Sequence, residues 1–165
     1  LAVTSYGMSG PGRTVRDPDE TYGSHLDMEF RDDGGIRVFV DRMTDEWGRA
    51  NGSVILDGLA VAYSLRIVYW AAMLGERIGY RGAWVFGIHG SDLRGLHSHK
   101  HVEFMGTGPA YDEDFYRETT TASDLEMRQR PHAVAERLVG RLLDGLGTRR
   151  AYEQHLTGGN RQGQP

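Results

Sequence analysis

A largely apolar stretch of more than twenty residues, 54–74, constrains the fold more strongly than any other feature. Asn51-Gly52-Ser53 precede it and supply a helix start, because a Ser hydroxyl can accept from the unpaired amides of a first turn. The spacing predicts a helix over 54–78. Its apolar positions Ile55, Leu59, Ala62, Leu65, Val68, Ala72 and Ile78, joined by Val61, Trp70 and Met73, cover more than half the circumference, wider than the stripe of a surface helix. Such a helix must be sandwiched inside its own domain or shared with another domain or subunit. Asp57 and Arg66 interrupt the run, and charges are costly at a bilayer centre, so a core helix and not a membrane span is expected.

The remainder reads as a short series of elements. Leu26, Met28 and Phe30 alternate with Asp27, Glu29 and Arg31, and after Asp32-Asp33-Gly34-Gly35 the alternation resumes at Ile36, Val38 and Val40, which is the pattern of a β-hairpin. Residues 43–52 read as a loop. The glycine-bounded run 83–88 is too short for a core helix and fits a buried strand, central in its sheet. Residues 97–104 are expected to form a further strand. Asp112 is positioned to cap a short helix through Phe115 and Tyr116, and Ser123 with Glu126 makes a capping box. A last core helix begins near Pro131 and stacks Val134, Leu138, Val139, Leu142, Leu143 and Leu146 on one side, with Gly147 as its stop and Arg149 and Arg150 offsetting its dipole.

Strands, a long helix, another strand and then helices do not make a regular βαβ series. The expected fold class is α+β in two layers, an antiparallel or mixed sheet built on the hairpin and packed against the long central helix and the C-terminal helix. Residues 1–22 read as a flexible arm, 23–156 as a single domain and 157–165 as a disordered tail. The 165 residues begin with Leu1 and carry no charged and apolar leader, which reads as a piece excised from a longer protein.

Composition removes much of the catalytic repertoire. With no cysteine, disulfides, thiolate nucleophiles and Cys-type metal sites are excluded together, and a cytoplasmic location is the natural one. A net charge of −4 argues against a dedicated nucleic-acid domain.

Three constellations could still carry function. His97, His99 and His101 would share a strand face, with His89, Asp92 and Glu103 nearby, and three imidazoles around zinc would leave an open position for an activated water. The alternative is a polar edge rich in histidine, needing no cofactor. Arg94 and Lys100 could receive a phosphate beside Trp84 or Tyr111 in a nucleotide or small-ligand sensor, against the plain reading of surface arginines paired with acids. Val61, Leu65, Tyr69, Trp70 and Met73 on the long helix could form an interface with a second copy or another domain, against ordinary core packing. Ser91-Asp92 beside His89 lacks the strained elbow of a serine hydrolase. The glycine-rich pieces 7–12 and 106–108 lack the lysine and following helix of a phosphate loop.

At Gly90-Ser91-Asp92-Leu93-Arg94-Gly95, at residues 111–120 (Tyr111-Asp112-Glu113-Asp114 onward) and at residues 135–143, the chain resembles the C-terminal portion of actinobacterial proteins that carry an N-terminal Schlafen-AlbA-type DNA-binding domain, often labelled ATP-binding. The resemblance covers roughly the second half of the chain well and the hairpin only loosely. In that family the nucleic-acid and nucleotide signatures lie in the N-terminal domain, and no position here matches them. It therefore implies an accessory, regulatory or assembly role in a nucleic-acid-associated regulatory or defence protein, with nucleic acid met through the parent protein.

Overall fold

The computed structural model describes residues 2–4, 7–10, 26–31, 34–40, 43–47, 52–104, 106 and 108–158. The chain is α+β and divides into two compact units, Leu1–Met43 and Thr44–Pro165. The division falls in the stretch read as a loop, so the hairpin and the long helix belong to different units. Much of the expected arm (residues 1, 5, 6 and 11–22) and residues 159–165 of the expected tail lie outside the described residues.

The first unit is an antiparallel sheet of β1 (Ala2–Thr4), β2 (Gly7–Gly10), β3 (Leu26–Arg31) and β4 (Ile36–Val40), in that order. The hairpin forms as its alternation predicts, with Phe30 opposite Ile36 and Leu26 opposite Val40. At the turn Gly34 adopts φ 81°, and the Arg31 amide donates to the Gly35 carbonyl at 2.8 Å. Asp32 and Asp33 lie outside the described residues. Residues 7–10, expected to have no structure, instead form β2 and pair with β3, Met8 facing Phe30. Backbone pairing along a template edge requires no side-chain period, which is why composition gave no sign of it.

The second unit opens with β5 (Thr44–Trp47) and β6 (Gly52–Ile55), then α1 (Asp57–Ile78), β7 (Ala83–Ser91), β8 (His97–Ser98) and α2 (His99–Phe104). It closes with β9 (Phe115–Ser123), α3 (Asp124–Gln129), α4 (Pro131–Gly145) and α5 (Arg149–Leu156). β6 pairs antiparallel with β5 and parallel with β8, and β7 and β9 make a separate two-stranded ribbon.

Several expectations are corrected. The helix begins at Asp57, because Val54 and Ile55 are drawn into β6, where both are fully buried. Residues 97–104 are a two-residue strand followed by a helix, since Ser98 caps α2 by accepting from the amides of Lys100 and His101. Phe115 and Tyr116 open β9 and not a helix, because the chain from Phe115 to Ser123 finds a full ladder with β7. β7 is not central. Among the described residues it pairs with β9 alone, and its burial alternates, Val85 being 76% exposed and Phe86 buried. Arg149 and Arg150 start α5 instead of ending α4, and Arg149 ties the two helices by donating to Asp144 and Glu136, both at 2.6 Å.

α4 is the hub. Its one-sided stripe of Val134, Leu138, Val139, Leu142 and Leu143 is buried as the spacing predicts, against both α1 and the ribbon. Tyr116, on the inner face of β9, donates its hydroxyl to the Leu138 carbonyl at 2.6 Å. Ser123 caps α3 by accepting from the Glu126 amide, as the capping box requires.

Candidate interaction surface and the chemistry-bearing side chains

α1 is a helix turned inside out by size. The side chains it buries against the other helices are small: Ala60, Ser64, Ala71, Ala72 and Gly75, with Val61 and Val68 the largest apolar ones. Small residues let helix backbones approach closely, so α1 seats against α4 without needing its bulky groups. Several of its large side chains point the other way, while Tyr63, Ile67 and Leu74 are half-buried on the flank. Leu59 is 38%, Tyr69 46%, Trp70 44% and Met73 60% exposed. On a wheel of 100° per residue these positions fall on one face with Arg66 and Arg77, opposite the buried stripe.

Of the predicted interface residues, Tyr69, Trp70 and Met73 therefore lie together and outward. Leu65 is half-buried beside them, and Val61 is removed from the set because it belongs to the inner stripe. Gly79 ends the helix at φ 70°, its amide donating to the Glu76 carbonyl while Tyr80 donates to Gly75, a closure that needs a left-handed residue. By length and composition α1 could cross a membrane, one-third of its most apolar window being buried. Beside the exposed face, Tyr69 hydrogen-bonds His132 Nε2 at 3.2 Å, and His132 Nδ1 lies 2.7 Å from the His155 carbonyl. A carbonyl only accepts, so Nδ1 carries the proton, and in the neutral ring Nε2 takes the tyrosine hydroxyl.

The imidazoles predicted to share a strand face are separated by the change from strand to helix. His97 sits on β8. His99 and His101 sit on α2, where residues two apart point to nearly opposite sides. His99 Nδ1 is 3.8 Å from Glu103, four residues on, and His101 Nε2 donates to the Gly147 carbonyl at 3.2 Å. His89 is on the ribbon, stacked on Phe115 with ring centres 6.3 Å apart. Among the described residues no group of three His, Cys, Asp or Glu side chains is placed to hold a metal ion. The Ser91 hydroxyl donates to its neighbour Asp92, which has a left-handed φ of 59°, at 2.9 Å.

The four residues of the phosphate reading lie on different elements and connections. Arg94 pairs with Asp114 at 2.8 Å, both side chains well exposed, in a turn stitched by the Gly95 amide donating to the Tyr111 carbonyl. Tyr111 is buried beneath α4, next to Gly145, and burial followed by the charges of Glu113 and Asp112 raises its phenol. Trp84 meets Tyr80 edge-on at 5.6 Å and keeps a buried, unpartnered Nε1. Lys100 is half-buried on α2.

Other arginines are matched with acids. Arg81 and Arg128 both donate to Asp124, at 3.0 Å each, and Arg128 also reaches Glu76. Burial alone would raise the Asp124 carboxyl, but the two guanidinium hydrogen bonds outweigh it and hold the group low. Arg137 donates to Glu126 at 2.7 Å and holds that carboxyl low as well.

One cluster was not anticipated. Asp57 is fully buried in the first turn of α1, where its Oδ2 accepts from Ser98 Oγ at 2.9 Å and its Oδ1 has no partner. Tyr152 of α5 packs over Gly58, and burial, then the Asp57 charge, raises its phenol. The only hint in sequence was an acid inside an apolar run, which reads equally as an interruption. No protein-family model, curated protein or solved structure matches this chain.

Proposed function

We propose that the chain is a non-catalytic accessory domain that joins its parent protein to a second copy or to another domain through the outward face of α1. The observation that carries this reading is the inversion of side-chain size on that helix: Tyr69, Trp70 and Met73 face out while alanines and glycine face in. Aromatic and methionine side chains are what protein interfaces concentrate, and an exposed contiguous apolar patch marks a contact surface. Arg66 and Arg77 on the same face suit the polar rim of such a contact. The likeness of residues 90–143 to the C-terminal part of Schlafen-AlbA-type proteins supports a parent that is a nucleic-acid-associated regulatory or defence protein in the cytoplasm. The metal-hydrolase and ligand-sensor readings draw no support from the separated imidazoles or from the pairing of Arg94 with Asp114.

Light scattering on the full chain over a range of concentrations, with W70E/M73E as the comparison, tests the proposal, alongside capture by the rest of the parent protein. Association that W70E/M73E abolishes, with an unchanged melting temperature, is the expected result. A variant that associates as well as the parent would refute it.

A further inference from the structure

Gly75 lies inside α1, where glycine is unfavourable against alanine, and its open side faces polar atoms. A Cβ at this position would stand 3.3 Å from the Tyr80 carbonyl oxygen, 3.6 Å from Trp84 Nε1 and 3.7 Å from Asp124 Oδ1. The turn after α1, the start of β7 and the first residue of α3 thus each send one polar atom toward the same point. Close packing of apolar groups accounts for many helix glycines, but not for three polar atoms grouped above one.

The hydrogen-bonding capacities of the three are mismatched. The Trp84 indole nitrogen only donates, and it is buried with no partner among the described residues. The other two only accept. Asp124 Oδ1 takes one bond from Arg128 Nε at 3.0 Å and has a further lone pair, and among the described residues no donor reaches the Tyr80 carbonyl. We infer that an ordered water molecule binds over Gly75, accepting from Trp84 Nε1–H and donating to Asp124 Oδ1 and the Tyr80 carbonyl. Buried waters typically make about three such bonds. The chemistry selects water over an ion. A metal ion or an ammonium group has no lone pair to offer an indole N–H, and an anion would face the Asp124 carboxylate. The bound molecule fastens α1, β7 and α3 at one point and gives the glycine a purpose, because a methyl group in the same space can neither accept nor donate. Gly75 belongs to the buried stripe of α1, so this site stands apart from the outward contact face.

The indole proton of Trp84 reports the water directly. In nuclear magnetic resonance spectra of the isotopically labelled full chain, its signal is identified by its loss in W84F. At mildly acidic pH, where guanidinium protons exchange slowly, it is expected to show a cross-peak to water whose NOE and ROE have opposite signs, the mark of a long-held molecule. The Tyr80 hydroxyl exchanges with solvent, and its ring meets Trp84 edge-on at 5.6 Å, so it is a route to a false signal. The cross-peak is therefore expected to survive in Y80F, which keeps the Tyr80 carbonyl. In G75A, checked for folding by circular dichroism, it is expected to disappear as the methyl displaces the molecule. An indole proton with no water cross-peak in the unaltered chain, a cross-peak that vanishes in Y80F, or one that persists unchanged in G75A overturns the inference. Should the 3.3 Å approach to the Tyr80 carbonyl keep G75A from folding, the unaltered chain and Y80F decide the matter by themselves.

Discussion

Ser98 donates its hydroxyl to the buried carboxylate of Asp57 at 2.9 Å while accepting from the amides of Lys100 and His101. One side chain thus starts α2 and satisfies one oxygen of the buried carboxyl at the start of α1. Loss of the donor leaves a carboxylate that already has one unpaired oxygen. Ser98→Ala should cost about 2 kcal/mol in urea unfolding, in the range for a hydrogen bond to a charged group. Asp57→Ala combined with Ser98→Ala should cost less than the sum of the two single changes, since the pair acts as a unit.

The inverted helix makes an unusual pair of expectations. Trp70→Ala should leave the stability of the isolated chain within about 0.5 kcal/mol, because the indole lies outside the core. Ala71→Leu, one residue on, should destabilise by about 2 kcal/mol through overpacking, because Ala71 is buried where α1 meets its neighbours. Thermal melts of the two variants check both.

Acid should unfold the second unit through Asp124 and Glu126. Both carboxyls are held below their ordinary values of 3.8 and 4.5 by hydrogen-bonded arginines. Their stabilisation is therefore complete above those ordinary values and is lost as pH falls through the depressed ones. A series of urea midpoints taken from neutral pH downward should show the decline, and D124N and E126Q should each flatten it.

At the alkaline end Tyr116, pushed up to about 12 by burial and then by Glu118, contributes alongside Tyr111 and Tyr152, whose phenols burial raises as well. A raised phenol stabilises fully below its ordinary value of 10.0, and the contribution disappears as pH rises through the folded value. Tyr116→Phe should cost about 1 kcal/mol at neutral pH and remove its share of the alkaline component. Unfolding followed by fluorescence across the alkaline range separates the two effects.

Legibility in the sequence tracked the kind of signal available. The hairpin, the α4 stripe from Val134 to Leu143 and the Ser123–Glu126 box were readable because period and capping are local. β9 was not, since Phe115 to Ser123 owes its state to a partner strand that begins more than thirty residues earlier in the chain. The same non-local pairing took Val54 and Ile55 from the predicted helix. On α1 the apolar count was correct, but hydropathy does not distinguish alanine packing inward from tryptophan pointing outward. The strand expected over 97–104 failed for a related reason: a spacing of two aligns side chains on a strand and opposes them on a helix, and the Ser98 cap decides for the helix.

Ser123 both ends β9 and caps α3, and a single residue, Arg130, separates α3 from α4. There is no slack between strand and hub helix. Strand and hub helix are thus spliced into one unbroken run of regular structure, so a residue inserted between Ser123 and Pro131 has no loop in which to be absorbed and must displace the capping hydroxyl or the register of the α4 stripe.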